Sequence, residues 1–277
     1  VTAALAGLLA LASPLALAQD AVPEVGSDGA ASDAAADAAA EEAPEEPVPP
    51  DMRGTWRFDL RIVSNAKVPV LGTTEVKSRT TFLATVSGSQ ERPTIHTVPC
   101  HLQAEPSRAI AKTIVPKTFI DALPQKRFPA ELKQQGEGWA FHADMKPQYL
   151  GYDPKIAGEK PPHDKDAKGI TDLEGDGHPG GTIHLDAPIF GIIELYVVQR
   201  AHTVLDGSWT GAEVWEGDAT VLAFGQRTIG ASNRLFVANA EVTVDQKNSR
   251  YRWARVPEGT SCSQLKKGTG APSGGKF

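Results

Sequence analysis

The sequence predicts an all-β protein: a single antiparallel barrel of about eight to ten strands, with a β-sandwich as the alternative arrangement. Three observations point there. Apolar and polar residues alternate through much of 51–265, and this period of two places successive side chains on opposite faces of a strand. Clusters of Gly, Ser, Asp and Pro separate these runs, as turn residues do. One short stretch, PKTFIDAL at 116–123, has helical character, with Pro116 suited to a first turn.

The runs follow in order. In WRFDLRI, 56–62, Trp56, Phe58, Leu60 and Ile62 face one way and Arg57, Asp59 and Arg61 the other. Residues 73–86 repeat this, with Val76, Phe82, Ala84 and Val86 set against Glu75, Lys77 and Arg79. Further strand-like runs lie at 94–104, 109–115, 137–143, 182–204, 210–228, 234–245 and 249–256, and 182–204 is long enough for two strands broken near Pro188. Ser87-Gly88-Ser89, Asp206-Gly207-Ser208 and Glu216-Gly217-Asp218 supply turns. No internal repeat is visible, which argues against propellers and solenoids. Residues 144–181, rich in Pro, Gly and Asp, read as a long loop insertion, and such loops are usually functional or disordered.

The ends of the chain concern location. Residues 1–18, VTAALAGLLALASPLALA, carry no charge and close on Ala16-Leu17-Ala18, the pattern of a secretory signal peptide. Pro14 interrupts the stretch, which is shorter than the roughly 20 apolar residues of a membrane-crossing helix. The expectation is an exported protein, periplasmic or extracellular, without a transmembrane span in its mature form. Residues 19–50 hold Ala, Pro and nine acids but no Lys, Arg or aromatic residue, the composition of a disordered linker. The chain has 28 Lys+Arg and 34 Asp+Glu, so without those nine acids residues 51–277 carry 28 − 25 = +3. A mildly basic domain without a clustered basic face gives no case for nucleic acid. Residues 266–277 read as a flexible tail.

Two cysteines, Cys100 and Cys262, in an exported chain favour one disulfide fastening the C-terminal segment to the body. The alternative is a metal site using His96, Cys100 and His101, although His101 points away from the other two on a strand. G-x-S-x-G, H-E-x-x-H, a phosphate-cradling glycine loop and a dinucleotide fingerprint are all missing. No catalytic residue is therefore assigned, and binding is the expected activity.

Gly54-Thr55-Trp56 at the first strand and Arg250-Tyr251-Arg252-Trp253-Ala254-Arg255 near the end resemble the signature of lipocalins and their calycin relatives. The resemblance implies an eight-stranded barrel whose closed end has Trp56 packed beneath Arg252 or Arg255. It covers the ends and the approximate size. The domain is longer than compact family members, and 144–181 supplies much of the excess.

Within the insertion, TDLEGDGHPGGT places Asp172, Glu174 and Asp176 at alternate positions before Gly177. Calcium loops use this spacing because alternate side chains of a turning backbone converge on one cation. The segment resembles half of an EF-hand loop and the acidic phrase of thrombospondin type 3 repeats, although Ile183 stands where the EF-hand glutamate belongs. Ca2+ is thus the candidate cofactor, and a solvated turn the competing account. Glu194, Tyr196, Arg200 and His202 share one face of a strand and are the candidate ligand-binding set, with Arg200 as donor to an anion. If that face is outward, Leu195, Val197, Ala201 and Leu205 turn inward, which buries more apolar surface.

Two functions follow, with an enzyme of unknown reaction as a weaker third. The first is a barrel holding a small, largely apolar molecule. Its interior would mix large residues (Trp56, Phe58, Leu60, Phe82) with small ones (Ala84, Ala201, Ala212), tapering from a closed end beneath Trp56 to an opening at the insertion. The second is a calcium-assisted surface module recognising a glycan or cell-envelope partner through Trp209 and Trp215.

Overall fold

A computed structural model describes residues 48–68, 72–107, 111–209, 211–237 and 241–265. The expected signal peptide, the linker up to residue 47 and the tail from 266 lie outside the described residues. The fold is all-β. The strands are β1 (Gly54–Val68), β2 (Gly72–Gly88), β3 (Pro93–Pro106), β4 (Lys112–Ile114), β5 (Lys126–Gln135) and β6 (Gly138–Asp144). They continue with β7 (Gln148–Leu150), β8 (Gly181–Ala187), β9 (Gly191–Trp209), β10 (Val214–Ala231) and β11 (Glu241–Arg255). Two short helices, α1 (Lys117–Ala122) and α2 (Pro154–Ala157), join them. Eight strands close into an antiparallel ring in the order β10-β11-β1-β2-β3-β5-β6-β9, with β9 returning to β10.

The period-two pattern decides what fills the ring. Trp56, Phe58, Leu60 and Ile62 point inward from β1, each at most 2% exposed. They meet Phe82, Phe141, Trp209, Trp215, Tyr251 and Trp253 in one core. Phe58 stacks on Trp253 at 4.6 Å, and Trp56 meets Trp209 edge-on at 5.7 Å. Each buried Phe-sized side chain stabilises by about 1.5–3 kcal/mol relative to exposure. The strap entering β1 seals this end. The Met52 carbonyl accepts from Trp56 Nε1 at 2.8 Å and the Pro50 carbonyl from Trp209 Nε1 at 3.0 Å.

Closure does not extend along the whole ring. β10 and β11 pair only between 214–218 and 250–254, and β3 and β5 only between 94–97 and 126–129. Beyond those points the pairing leaves two groups, β3-β2-β1-β11 and β4-β8-β9-β10. The long β9 causes the division: one edge follows β10, while the other passes from β6 to β7 to β8. Gln246 spans the β10–β11 divergence, its side-chain amide accepting from Val221 N at 2.8 Å and donating to Val221 O at 2.6 Å. The molecule is ring-like at the aromatic end and sandwich-like at the other, which unites the two architectures expected from the sequence.

Several boundaries differ from expectation. β5 carries the alternation Phe128, Ala130, Leu132, but Pro129 within it reads as a strand breaker. Pro129 sits where β5 leaves β3 and joins β6, between the pairs Thr94↔Pro129 and Ala130↔Ala143. The run 234–245 begins with a single 3-10 turn, Arg234–Phe236, and strand resumes at Glu241. Ala212, expected inside, is exposed between β9 and β10.

Candidate functional site

The 144–181 insertion lies across the outer face of β9, whereas the sequence suggested a rim. β7 pairs with β9 through Gln148↔Ala201, Tyr149↔Arg200 and Leu150↔Gln199. Tyr152 packs with Val198 and Ile229 in a small apolar cluster, joined by Tyr149, Ala157, Ile170 and Tyr196. Asp153 caps α2 by accepting from Lys155 N at 2.9 Å. Elements this short are marginal alone, so packing on β9 must hold them.

This placement sets the surroundings of the candidate residues on β9. Leu195, Val197, Ala201 and Leu205 are buried inward. Glu194, Tyr196, Arg200 and His202 take the outer face, and the insertion divides them into separate groups. Tyr196 donates to Glu194 Oε2 at 3.3 Å and stacks on His178 at 4.5 Å. Arg200 lies over the Tyr149 ring at 5.8 Å and pairs with Glu159, whose carbonyl accepts from Tyr152 Oη at 2.9 Å. His202 Nε2 bonds to Asp144 Oδ1. Lys146 also holds Asp144, through Nζ at 2.7 Å and its backbone N–H at 2.8 Å. Burial opposes ionisation of Asp144, but the hydrogen bonds from Lys146 and His202 outweigh it and hold the carboxyl at about 2.

The acidic loop brings Asp172, Glu174 and Asp176 together, with one oxygen of each within 4.8 Å of the others. Their carboxylates also organise the turn. Asp172 accepts the N–H groups of Gly175 at 2.7 Å, Asp176 at 3.1 Å and Gly177 at 2.8 Å, which lower its pKa. Glu174 Oε1 accepts Thr182 N at 2.7 Å and so ties the loop to β8, while burial pushes the Glu174 pKa up.

The expected tapered cavity does not show among the described residues. The end beneath Trp56 is filled by aromatic rings, and a cavity of about 20 Å³ lies in the sandwich-like half between Leu102, Ala104, Phe119 and Val197. That is room for about one water. Larger spaces open where the strands diverge: a cleft of about 550 Å³ between β3 and β4, and one of about 610 Å³ between β10, β11 and the insertion. Both fall in the size range of small-molecule sites. Trp209 and Trp215 are 0% and 5% exposed, so neither can form a surface platform for a sugar.

At the closed end, the Arg255 guanidinium lies 4.3 Å over the Trp56 ring and donates to the carbonyls of Arg53 at 2.7 Å and Asp51 at 3.1 Å. Gly54 has φ +122°, and a Cβ there would lie 2.8 Å from Arg255 Nη1. The glycine before Trp56 therefore makes room for this arginine. Arg252 points to the outer face and pairs with Glu216 at 3.3 Å. Cys100 and Cys262 stand at disulfide distance with Cα atoms 5.1 Å apart, so Cys100 is not a metal ligand here. Among the described residues no helix is long and apolar enough to cross a membrane. Comparison with protein-family models, curated proteins and solved structures returned no match.

The sequence reading missed Asp144, Glu159, Lys160, Phe224 and Arg227. Asp144 and Glu159 hold the β9 side chains, and Lys160, Phe224 and Arg227 line the larger cleft. They lie on three separate segments, and no local pattern joins them.

Proposed function

We propose that this chain is an exported, lipocalin-like binding protein that takes a small, largely apolar ligand at the open half of the ring rather than in a hollow centre. The observation that carries this reading is the partial closure: one end is filled with aromatic residues, and the diverging strands leave ligand-sized clefts at the other. The Arg255–Trp56 stack beside Gly54 supports the lipocalin comparison. The cysteine pair and the apolar first eighteen residues support export. Native mass spectrometry of protein recovered from the periplasm or medium tests both parts. The expected species begins at Gln19 and carries bound small-molecule mass that denaturation releases. An intact N-terminus in exported material would defeat the export claim, and failure to take up any apolar dye would defeat the ligand claim.

Calcium at Asp172, Glu174 and Asp176 is a second reading, favoured by the convergence of their oxygens. The ion would reinforce the loop that Glu174 already ties to β8. Calorimetry is expected to show one weak site that Asp176→Ala abolishes, together with calcium-dependent protection of 144–181 from protease. No heat at millimolar calcium would return the loop to a plain turn.

A further inference from the structure

We propose that the cleft between β10, the start of β11 and the insertion binds an amphipathic small molecule through an oxyanion group, a carboxylate or a phosphate monoester, held at Arg200. This deepens the binding reading above and rests on it. The cleft, of about 610 Å³, is lined by Lys160, His163, Arg200, Phe224, Arg227 and Glu241 among others. Arg200 is its anchor. The side chain is 9% exposed, and its carboxylate partner, Glu159, is 70% exposed. The Arg200 Nε–H is buried without an acceptor among the described residues.

A guanidinium carries five N–H donors, and one solvent-facing carboxylate cannot accept from all of them, so this buried side chain keeps donor capacity to spare. An oxyanion arriving from the cleft would supply acceptors in the planar geometry that arginine favours. Arg200, Lys160 and Arg227 set three positive charges at the cleft against the two negative charges of Glu241 and Glu159, an excess that favours an anion. Pro161 and Ala223, which also line the cleft, offer an apolar surface for the rest of the molecule.

The cleft is built by the fold. Gly225 lies opposite Arg200 in the β9–β10 pairing, and a Cβ at Gly225 would come within 3.0 Å of Pro161 Cδ. The absent side chain lets the insertion seat against β10 and wall the site. This position outside the ring, against the flank of β9, separates it from the interior pocket expected from the sequence.

The test compares four ten-carbon probes by calorimetry on the full chain: decanoate, decyl phosphate, decanol and decylamine. Decanoate and decyl phosphate are expected to bind at one site, with decanol and decylamine at least about tenfold weaker, the scale of a lost charged hydrogen bond. The ratio between the two anions shows which oxyanion the site prefers. Arg200→Gln should remove the preference for anions. Because Arg200 is buried, the cleft-mouth double variant Lys160→Gln/Arg227→Gln provides a second route: a severalfold loss for the anions alone, with an unchanged melting temperature. Equal binding of all four probes would overturn the oxyanion inference and leave the binding function standing. Binding of none would remove both.

Discussion

Tyr251 illustrates how narrowly the ring is packed at the level of single residues. Its hydroxyl lies inside the closed end, and Gly217 on the neighbouring β10 and Gly207 on β9 beyond it sit where any Cβ would strike it, at 2.3 and 2.5 Å. Gly217→Ala should therefore destabilise by about 1–3 kcal/mol, the usual cost of overpacking. Denaturant unfolding measures it, and Tyr251→Phe in the same chain should recover part of the loss. Asp144 gives a pH prediction. Its folded pKa of about 2 lies below the unfolded value of about 3.9. The carboxylate therefore contributes stability that is fully present above pH 4 and is lost as pH falls towards 2. Asp144→Asn should flatten the stability profile in that window, and an unchanged acid limb would show that other carboxylates control it.

Among the elements, the C-terminal strap depends on Cys100 and Cys262. After β11 the chain crosses back, and the Leu265 carbonyl lies 2.6 Å from His101 Nε2 on β3. The cross-link spans 162 residues, and such closures contribute about 2–4 kcal/mol in practice, below the roughly 5 kcal/mol of the chain-entropy account. Reduction should lower the melting temperature and open 256–265 to protease while leaving the far-ultraviolet β signature in place. The insertion behaves in the opposite way at the sequence level. Its Pro, Gly and Asp content marks an irregular segment, but its short strand and helix form only because Tyr152, Ile170 and Ala157 find Val198 and Ile229 on the ring.

For the whole molecule, the partial closure of the ring is the decisive feature. The residues just before β1 belong to the folded body: Pro49 and Met52 are buried, and two tryptophan N–H groups depend on the carbonyls of Pro50 and Met52. A chain beginning at residue 48 should melt with the full-length domain. One beginning at Gly54 should lose about 2–5 kcal/mol, the cost of emptying a buried Met-sized site. Equal melting of the two chains would mean that the seal is dispensable.

The all-β class was legible because alternation in stretches such as 56–62 is a local property: Trp56, Phe58, Leu60 and Ile62 share a face whatever their partners. The Cys100–Cys262 pairing was legible because two cysteines leave one choice. β5 was obscured by Pro129, whose tolerance depends on the point where one neighbouring strand gives way to another. The acidic triad declared itself through spacing along one loop. The cleft did not, because Lys160, Arg200, Phe224 and Arg227 meet only after β9 exchanges neighbours along one edge and β10 parts from β11. Local periodicity determined which faces are apolar and hence the class of fold. Only the tertiary structure decided where the ring opens, since that depends on how far each pair of strands stays together and no single strand carries that information.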